Sequence, residues 1–128
     1  MIEIIIPLAP VTKKNSQVPV KVNGRLIILP SPQYRKYEKE CGRYIKPPIE
    51  PLKEPVNVKC LYYMPTRRRV DLSNLLEASH DVLVKYKVLE DDNSKIIVSV
   101  DGSRVYYDKH NPRTEVYITR AETEDHEE

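Results

Sequence analysis

Proline residues limit where helices and strands can run in this chain, because proline fixes φ at about −65° and has no backbone N–H to donate. Pro7 ends a first alternating segment, and Pro65 ends a later one. Four prolines between positions 47 and 55 predict a rigid connector without regular structure. Ser31-Pro32 instead predicts a helix start, since serine is a good N-cap and proline suits the first helical position. The chain must therefore consist of short elements with defined ends.

Short alternating segments between these prolines predict strands. The clearest is Val56–Met64, where VNVKCLYYM alternates between two faces. Asn23-Gly24 predicts a hairpin, because a type I′ turn needs positive φ at both central positions. Asp101-Gly102 could turn another hairpin or could bend one longer strand. The predicted strands are residues 2–6, 18–22, 25–29, 56–64, 95–100, 105–107 and 114–118, the last two forming an antiparallel edge.

Residues 71–87 form the best predicted helix of the chain. With a step of about 100° per residue, its apolar stripe and one serine fall within an arc of about 120°. These residues are Leu72, Leu75, Leu76, Ser79, Val82, Leu83 and Tyr86. A second helix is predicted over residues 32–45. We therefore expect a single α+β domain over residues 1–119, with a mixed sheet and two main helices, followed by an acidic tail at 120–128.

The net charge of +2 conceals an uneven distribution. Residues 121–128 read AETEDHEE and contain five acids but no lysine or arginine. The rest of the chain has 21 basic and 14 acidic residues, a charge of +7. A basic body predicts a polyanionic partner, although an ordinary protein with a solvated charged tail would show the same pattern.

The two cysteines, Cys41 and Cys60, fit no zinc-binding spacing. They are predicted to be buried free thiols, which implies a reducing cytosol. No apolar segment has the length of a membrane span, and the first residues have no basic region typical of a signal peptide. We therefore expect a cytoplasmic protein.

Basic and acidic side chains cluster on both sides of the predicted helix at 71–87. Carboxylates from different elements can together hold Mg²⁺, and arginine matches the geometry of phosphate oxygens. The pattern therefore predicts metal-dependent phosphodiester chemistry. The candidates are Arg67, Arg68, Arg69, Asp71, Glu90, Asp91, Asp92 and Asp101.

Each of these features also has an ordinary interpretation. An acid such as Asp71 at a helix start commonly serves the helix dipole. Acids in a turn are usually solvated, and an arginine triplet often gives only general affinity for anions. His80 and His110 are interpreted as a structural helix residue and an exposed turn residue.

The segment RRRVDLSNLLEASHDVL and the following VLEDDN resemble the central signature of the RusA family of Holliday-junction resolvases. PVTKKNSQ, SPQYRKYEKE and YDKHNPRTEVYI resemble the family's N-terminal motif, first helix and last hairpin. The resemblance covers roughly residues 2–119 and is greatest to the phage-borne branch, which implies a bacterial or phage-encoded protein.

This resemblance implies a homodimer that binds four-way DNA junctions and nicks two strands symmetrically with Mg²⁺. Asp71 and Asp92 match the family's first and last catalytic aspartates, with Asp91 beside the latter. The predicted metal ligands are Asp71 and Asp92, which the resemblance implies, and Asp101, which the acidic pattern alone suggests. The predicted DNA contacts are Lys13, Lys14, Asn15 and Asn74, which match the family, together with the basic residues Arg67, Arg68, Arg69 and Arg104.

Two positions depart from the family pattern. Ser73 replaces the family's second aspartate, and Glu77 replaces a functional lysine one turn further along. Glu77 could supply the missing catalytic carboxylate or could be a surface acid, and Asp101 is the other candidate. Three functions therefore stay open: a resolvase, a junction-binding module with weak or lost cleavage, and a nuclease for other branched DNA.

Tyrosine is the only aromatic residue apart from histidine, with nine copies. Tyr62, Tyr63, Tyr106 and Tyr107 cannot all face one side of a sheet. We expect most of them in the core or at a dimer interface, and stacking of some on DNA bases is the alternative.

Overall fold

A computed structural model describes residues 1–13, 18–29 and 31–122 of the protein. The strands are β1 (Ile2–Ile6), β2 (Val18–Val22), β3 (Arg25–Leu29), β4 (Val56–Met64), β5 (Ile97–Ser99), β6 (Arg104–Tyr107) and β7 (Arg113–Arg120). The helices are α1 (Pro32–Cys41), continued by a 3₁₀ turn over Gly42–Tyr44, and α2 (Leu72–Lys85). The expected α+β class with a mixed sheet and two main helices is confirmed.

The main sheet has five strands in the order β1-β7-β4, with β5 and β6 both on the free edge of β4. β7 runs antiparallel to β1 and to β4, whereas β5 and β6 run parallel to β4. Alternate residues of β1, β4 and β7 are buried, so the helices cover one face and leave the other open. The hairpin of β2 and β3 forms a separate two-stranded sheet.

The predicted antiparallel edge of residues 105–107 and 114–118 is wrong. β6 pairs with β4 in parallel, and β7 lies between β1 and β4. Thr114, Val116 and Ile118 are all buried, which suits a central strand better than an edge. Strands adjacent in sequence often pair, but burial of a long apolar face takes precedence here.

Asp101-Gly102 bends one longer strand and does not turn a hairpin. β5 and β6 follow the same edge of β4, with Asn57 opposite Ser99 and Leu61 opposite Arg104. The edge segment therefore has one extra residue between these pairs, as in a β-bulge. The Asn57 side chain holds the bend: its Oδ1 accepts from the Asp101 N–H at 2.8 Å, and its Nδ2 donates to the Asp101 carbonyl at 3.1 Å.

The helices begin where the sequence predicts. Ser31 caps α1, its hydroxyl accepting from the Tyr34 N–H at 3.0 Å, and Pro32 is the first helical residue. α2 begins after Asp71 and ends at Lys85, and Lys87 with φ of 65° turns the chain away. Leu75, Val82 and Leu83 of the predicted stripe of α2 are buried, and so is Ala78, which was not predicted as part of it.

One apolar core joins the covered face of the sheet to both helices. Cys41 and Cys60 are free and fully buried in it, as predicted, and burial raises the pKa of each thiol to about 11. Tyr62 is also buried, and its hydroxyl lies 2.8 Å from the Ser79 hydroxyl, which joins β4 to α2. No helix of the described residues is long and apolar enough to cross a membrane.

Gly102 should be necessary for the bend between β5 and β6, because its φ of 87° is rarely adopted by residues with a Cβ. We expect Gly102→Ala to lower the free energy of unfolding by roughly 1–2 kcal/mol, measured by urea denaturation. Gly102→Asn should cost less, because asparagine tolerates positive φ. Equal stability of the alanine variant and the unmodified protein would contradict this role.

Candidate active site

The candidate site begins where β4 ends. Pro65 terminates the strand, and residues 65–70 (the arginine loop) lead into α2. Arg67, Arg68 and Arg69 are all exposed in this loop. Exposed guanidinium groups directly before a helix N-terminus form a strongly positive region, since the helix dipole adds to their charge.

Asp71 is the N-cap residue of α2, but its carboxylate makes no capping hydrogen bond to the helix backbone. Its Oδ2 instead accepts from the Asn74 side-chain amide at 3.3 Å. Asp71 is exposed, so the remaining lone pairs of its carboxylate face solvent. The structure thus places Asp71 and Asn74 together, beside the arginine loop, as a carboxylate and an amide available to a ligand.

The second acidic segment, residues 90–92, follows α2. Glu90 is anchored by its N–H, which donates to the Leu52 carbonyl at 3.0 Å. The Asp91 carboxylate accepts from the Asp92 N–H at 2.8 Å and from the Asn93 side chain at 3.0 Å, and these hydrogen bonds lower the pKa of Asp91. Asp91 is therefore held as a carboxylate by its own turn, and Asp92 beside it is exposed.

One predicted metal ligand, Asp101, lies apart from Asp71 and the arginine loop. Asp101 bonds to Asn57, seven residues or about 23 Å of strand away from Met64 and the arginine loop. Over residues 1–13, 18–29 and 31–122, no three His, Cys, Asp or Glu residues are arranged to hold a metal ion. The roles of Asp71 and Asp92 as metal ligands stay predictions.

Ser73 and Glu77, the two departures from the family pattern, are both exposed on α2. They lie four residues apart and so on one face of the helix. Glu77 lies on the exposed surface of α2, the helix whose N-cap is Asp71. Its catalytic role stays a prediction.

Lys13 does not extend freely into solvent. Its ammonium forms an ion pair with the Asp81 carboxylate of α2 and lies 5.9 Å from the centre of the Tyr34 ring. Both ion-pair partners are about 30% exposed, at 28% and 30%. Lys13 therefore connects the N-terminal loop to both helices, and its role as a DNA contact stays a prediction. Lys14 and Asn15 lie outside the described residues.

The N-terminal loop and the arginine loop are neighbours. They border one open cavity of about 320 Å³. The sequence interpretation did not include Gln33 of α1, which also lines this cavity. The lining residues are Pro10, Val11, Thr12, Gln33, Met64, Thr66, Arg68, Arg69 and Val70.

Arginine and tyrosine side chains meet at the end of β6. The Arg67 guanidinium lies 4.2 Å from the centre of the Tyr107 ring, and the Arg104 guanidinium lies 5.2 Å from that of Tyr106. Both distances are within the range of cation–π attraction. Arg104 is exposed beside Tyr106, and its role as a DNA contact stays a prediction.

Comparison with known protein families identifies one family for this chain. The model described as Endodeoxyribonuclease RusA matches residues 7–119 of 128. The matched segment contains the arginine loop, Asp71 and the acids at 90–92. Comparison with curated proteins found no match.

His80 should make folding sensitive to mild acid. Its Nε2 is buried without a hydrogen-bond partner among the described residues, and burial lowers its pKa below 6.5, despite the opposing charges of Asp92 and Asp81. The unfolded chain then binds the proton more readily, so stability is complete above pH 6.5 and falls as the pH decreases below it.

We therefore compare thermal unfolding midpoints at pH 7.5 and 5.5, roughly the range in which histidine titrates. The midpoint of His80→Leu should decrease less between these two pH values than that of the unmodified protein. His110→Leu is the matched control, because His110 is exposed in a turn. An identical pH dependence of all three proteins would rule out this effect of burial.

Proposed function

We propose, since the chain belongs to the RusA family of endodeoxyribonucleases, that it is a Mg²⁺-dependent resolvase. It would cleave four-way DNA junctions by paired, symmetric nicks in DNA recombination and repair. The observation that carries the proposal is the Asp71 carboxylate, which is left out of the helix cap and lies directly beside three exposed arginines. Family membership supports the endonuclease activity on Holliday junctions, and the residue roles are our inference.

The donor groups at the start of α2 suit Mg²⁺. Magnesium prefers oxygen ligands, keeps several of its waters and usually takes only one or two protein carboxylates. Asp71 offers carboxylate oxygens and Asn74 holds them in place at 3.3 Å. Asp92 is the second proposed ligand, with Asp91 fixing the shape of its turn. When bound, the metal would stabilise charge on the attacking and leaving oxygens of the phosphodiester.

The chain's own residues would position the DNA around that phosphate. Arg67, Arg68 and Arg69 would bind the phosphates on either side of the scissile bond, because guanidinium groups pair with phosphate oxygens in a bidentate manner. The N-terminal loop borders the same cavity through Pro10, Val11 and Thr12, and Lys13, the next residue, would be a further phosphate contact. Such contacts orient the backbone without reading the base sequence.

A homodimer is the assembly we propose, because two symmetric nicks need two equivalent sites. The hairpin of β2 and β3 supports this, since Leu26 and Ile28 are 68% and 60% exposed and the hairpin is a separate sheet. A two-stranded hairpin alone is only marginally stable in water. A second copy that covers it would bury this apolar surface.

The second candidate function is a junction-binding module with weak or lost cleavage. The exposed Ser73 and Glu77 favour it, because a family carboxylate is missing and a cation is replaced by an acid on the same helix face. A nuclease for other branched DNA is the third candidate. Cleavage of a synthetic four-way junction, a flap and a linear duplex with Mg²⁺ separates the three.

Asp71→Asn and Asp92→Asn should each reduce the cleavage rate by roughly 100-fold or more, because the amide keeps the shape of the acid but weakens metal binding. Affinity for the junction in EDTA should be unchanged or higher, since repulsion of phosphate decreases. Single-turnover cleavage and an electrophoretic binding assay measure the two effects. Near-normal cleavage by either variant would show that the site is assigned to the wrong residues.

Glu77→Gln and Asp101→Asn test which acid replaces the family's second aspartate. We expect Glu77→Gln to lower the rate about tenfold, and Ser73→Asp in that background to restore part of it. Asp101→Asn is the comparison, because its bend lies at the far end of β4. A silent Glu77→Gln with a slow Asp101→Asn would assign the role to Asp101.

Light scattering at micromolar concentration should give twice the chain mass of 14.9 kDa. Introducing lysine at both Leu26 and Ile28 should shift the protein towards monomer, because two charges would have to be buried in the interface. Ile49→Lys is the control, since Ile49 is fully exposed outside the hairpin. A monomeric unmodified protein would contradict the assembly and weaken the resolvase proposal.

A further inference from the structure

We propose that Tyr107 and Arg67 form a stacking site for one nucleobase at the branch point of the DNA. The site is an open pocket of about 260 Å³ where the arginine loop meets the end of β6. It is separate from the acids of the candidate active site. The inference rests on the proposed binding of branched DNA and names the group that this surface would recognise.

Tyr107 presents a ring that a flat ligand can reach. It is 40% exposed, and the Arg67 guanidinium lies 4.2 Å from the ring centre. The guanidinium lies over the ring, and this stacked pair of planar groups is a surface on which any base can stack, because each base has a π-face. Tyr107 is therefore placed as a platform and not as a core residue.

The backbone below this platform is fixed by strand pairing and hydrogen bonds. Tyr107 pairs with Met64 at the end of the parallel ladder between β4 and β6, and the next N–H, of Asp108, donates to the Met64 carbonyl at 2.9 Å. The Asp108 carboxylate then accepts from the N–H groups of His110 and Asn111, which closes the following turn. A ligand that stacks on Tyr107 would not have to order the strand first.

A second row of stacked side chains supports the same strand end from the open face of the sheet. Tyr63 and Tyr106 stack with their ring centres 5.0 Å apart, and Arg113 lies 3.7 Å from the centre of the Tyr63 ring. Arg113 is itself held by Glu115 at 2.7 Å and by Asp108 at 3.1 Å. The ring of Tyr106 is thus held by Tyr63. The ring of Tyr107 instead lies beside the arginine loop.

The charges around the pocket select nucleic acid as the occupant. Its lining contains Arg67 and Arg68 and no acidic side chain. A nucleotide satisfies both properties of this site, because its base can stack while its phosphate pairs with an adjacent arginine. An apolar protein segment would leave the two guanidinium groups without an anionic partner.

The site would favour branched over linear DNA. In a continuous duplex each base is covered by its neighbours, and exposing one costs energy that is smallest where pairing or stacking is already interrupted. A base at the branch point is therefore the one that can reach Tyr107 at least cost. The arginine loop would meanwhile bind phosphates of either form of DNA.

Fluorescence of 2-aminopurine placed next to the branch point of a four-way junction tests the proposal in EDTA. The unmodified protein should quench the fluorescence on binding, because the base analogue stacks on Tyr107. Tyr107→Leu should lose the quenching and bind the junction about tenfold more weakly, with duplex affinity changed less than about twofold. Tyr107→Phe should behave as the unmodified protein, since the ring is retained.

Tyr44→Leu is the matched control, because Tyr44 is 42% exposed but does not line the pocket. Quenching that survives in Tyr107→Leu, or an equal loss of duplex and junction affinity, would overturn the proposal. Circular dichroism of each variant verifies the fold, and Tyr107→Phe keeps the test decisive if the leucine variant unfolds. The fluorescence assay is run in EDTA and measures binding alone. Failure of the protein to cleave junctions with Mg²⁺ would therefore refute the proposed function but would not change the outcome of this assay.

Discussion

β4 is the element on which the rest of the structure depends, because it is hydrogen-bonded along both edges and buried on one face. β7 pairs with it in antiparallel orientation, and β5 and β6 pair with it in parallel. Val58 and Cys60 are completely buried, and the Tyr62 hydroxyl bonds to Ser79 of α2. A shift of one residue in β4 would turn all of these side chains to the open face. Its register therefore determines where both neighbouring edges and α2 can lie.

The two ends of β4 have different chemistry as a result. Its C-terminal end leads through Pro65 into the arginine loop and Asp71, and β6 brings its tyrosines to the same end. Its N-terminal end holds the bend at Asp101 through Asn57. Cations and aromatic rings thus collect at one end of the sheet, beside a helix N-terminus that also favours anions. This separation makes the arginine end the better candidate for contact with DNA.

Local patterns predicted most of the elements, since alternation, caps and turns are properties of short segments. Val56–Met64 has the predicted ends, and Ser31-Pro32 starts α1 as expected. The pairing of β6 was not predictable from its neighbours along the chain. Contacts between distant segments could not be predicted from the sequence either. Examples are the ion pair of Lys13 with Asp81 and the stacking of Arg67 on Tyr107. Neither pair has a spacing that a sequence pattern could detect.

The sequence by itself determined the class of structure, the family and the candidate residues. These follow from periodicity and motifs, and the family match over residues 7–119 agrees with them. Only the tertiary structure decided which candidates lie together: Asp71 with Asn74 beside the arginines, and Asp101 at the opposite end of β4. The physical reason is that a motif specifies residue types along the chain. Distances between side chains depend on strand order, register and the length of the helix that separates them.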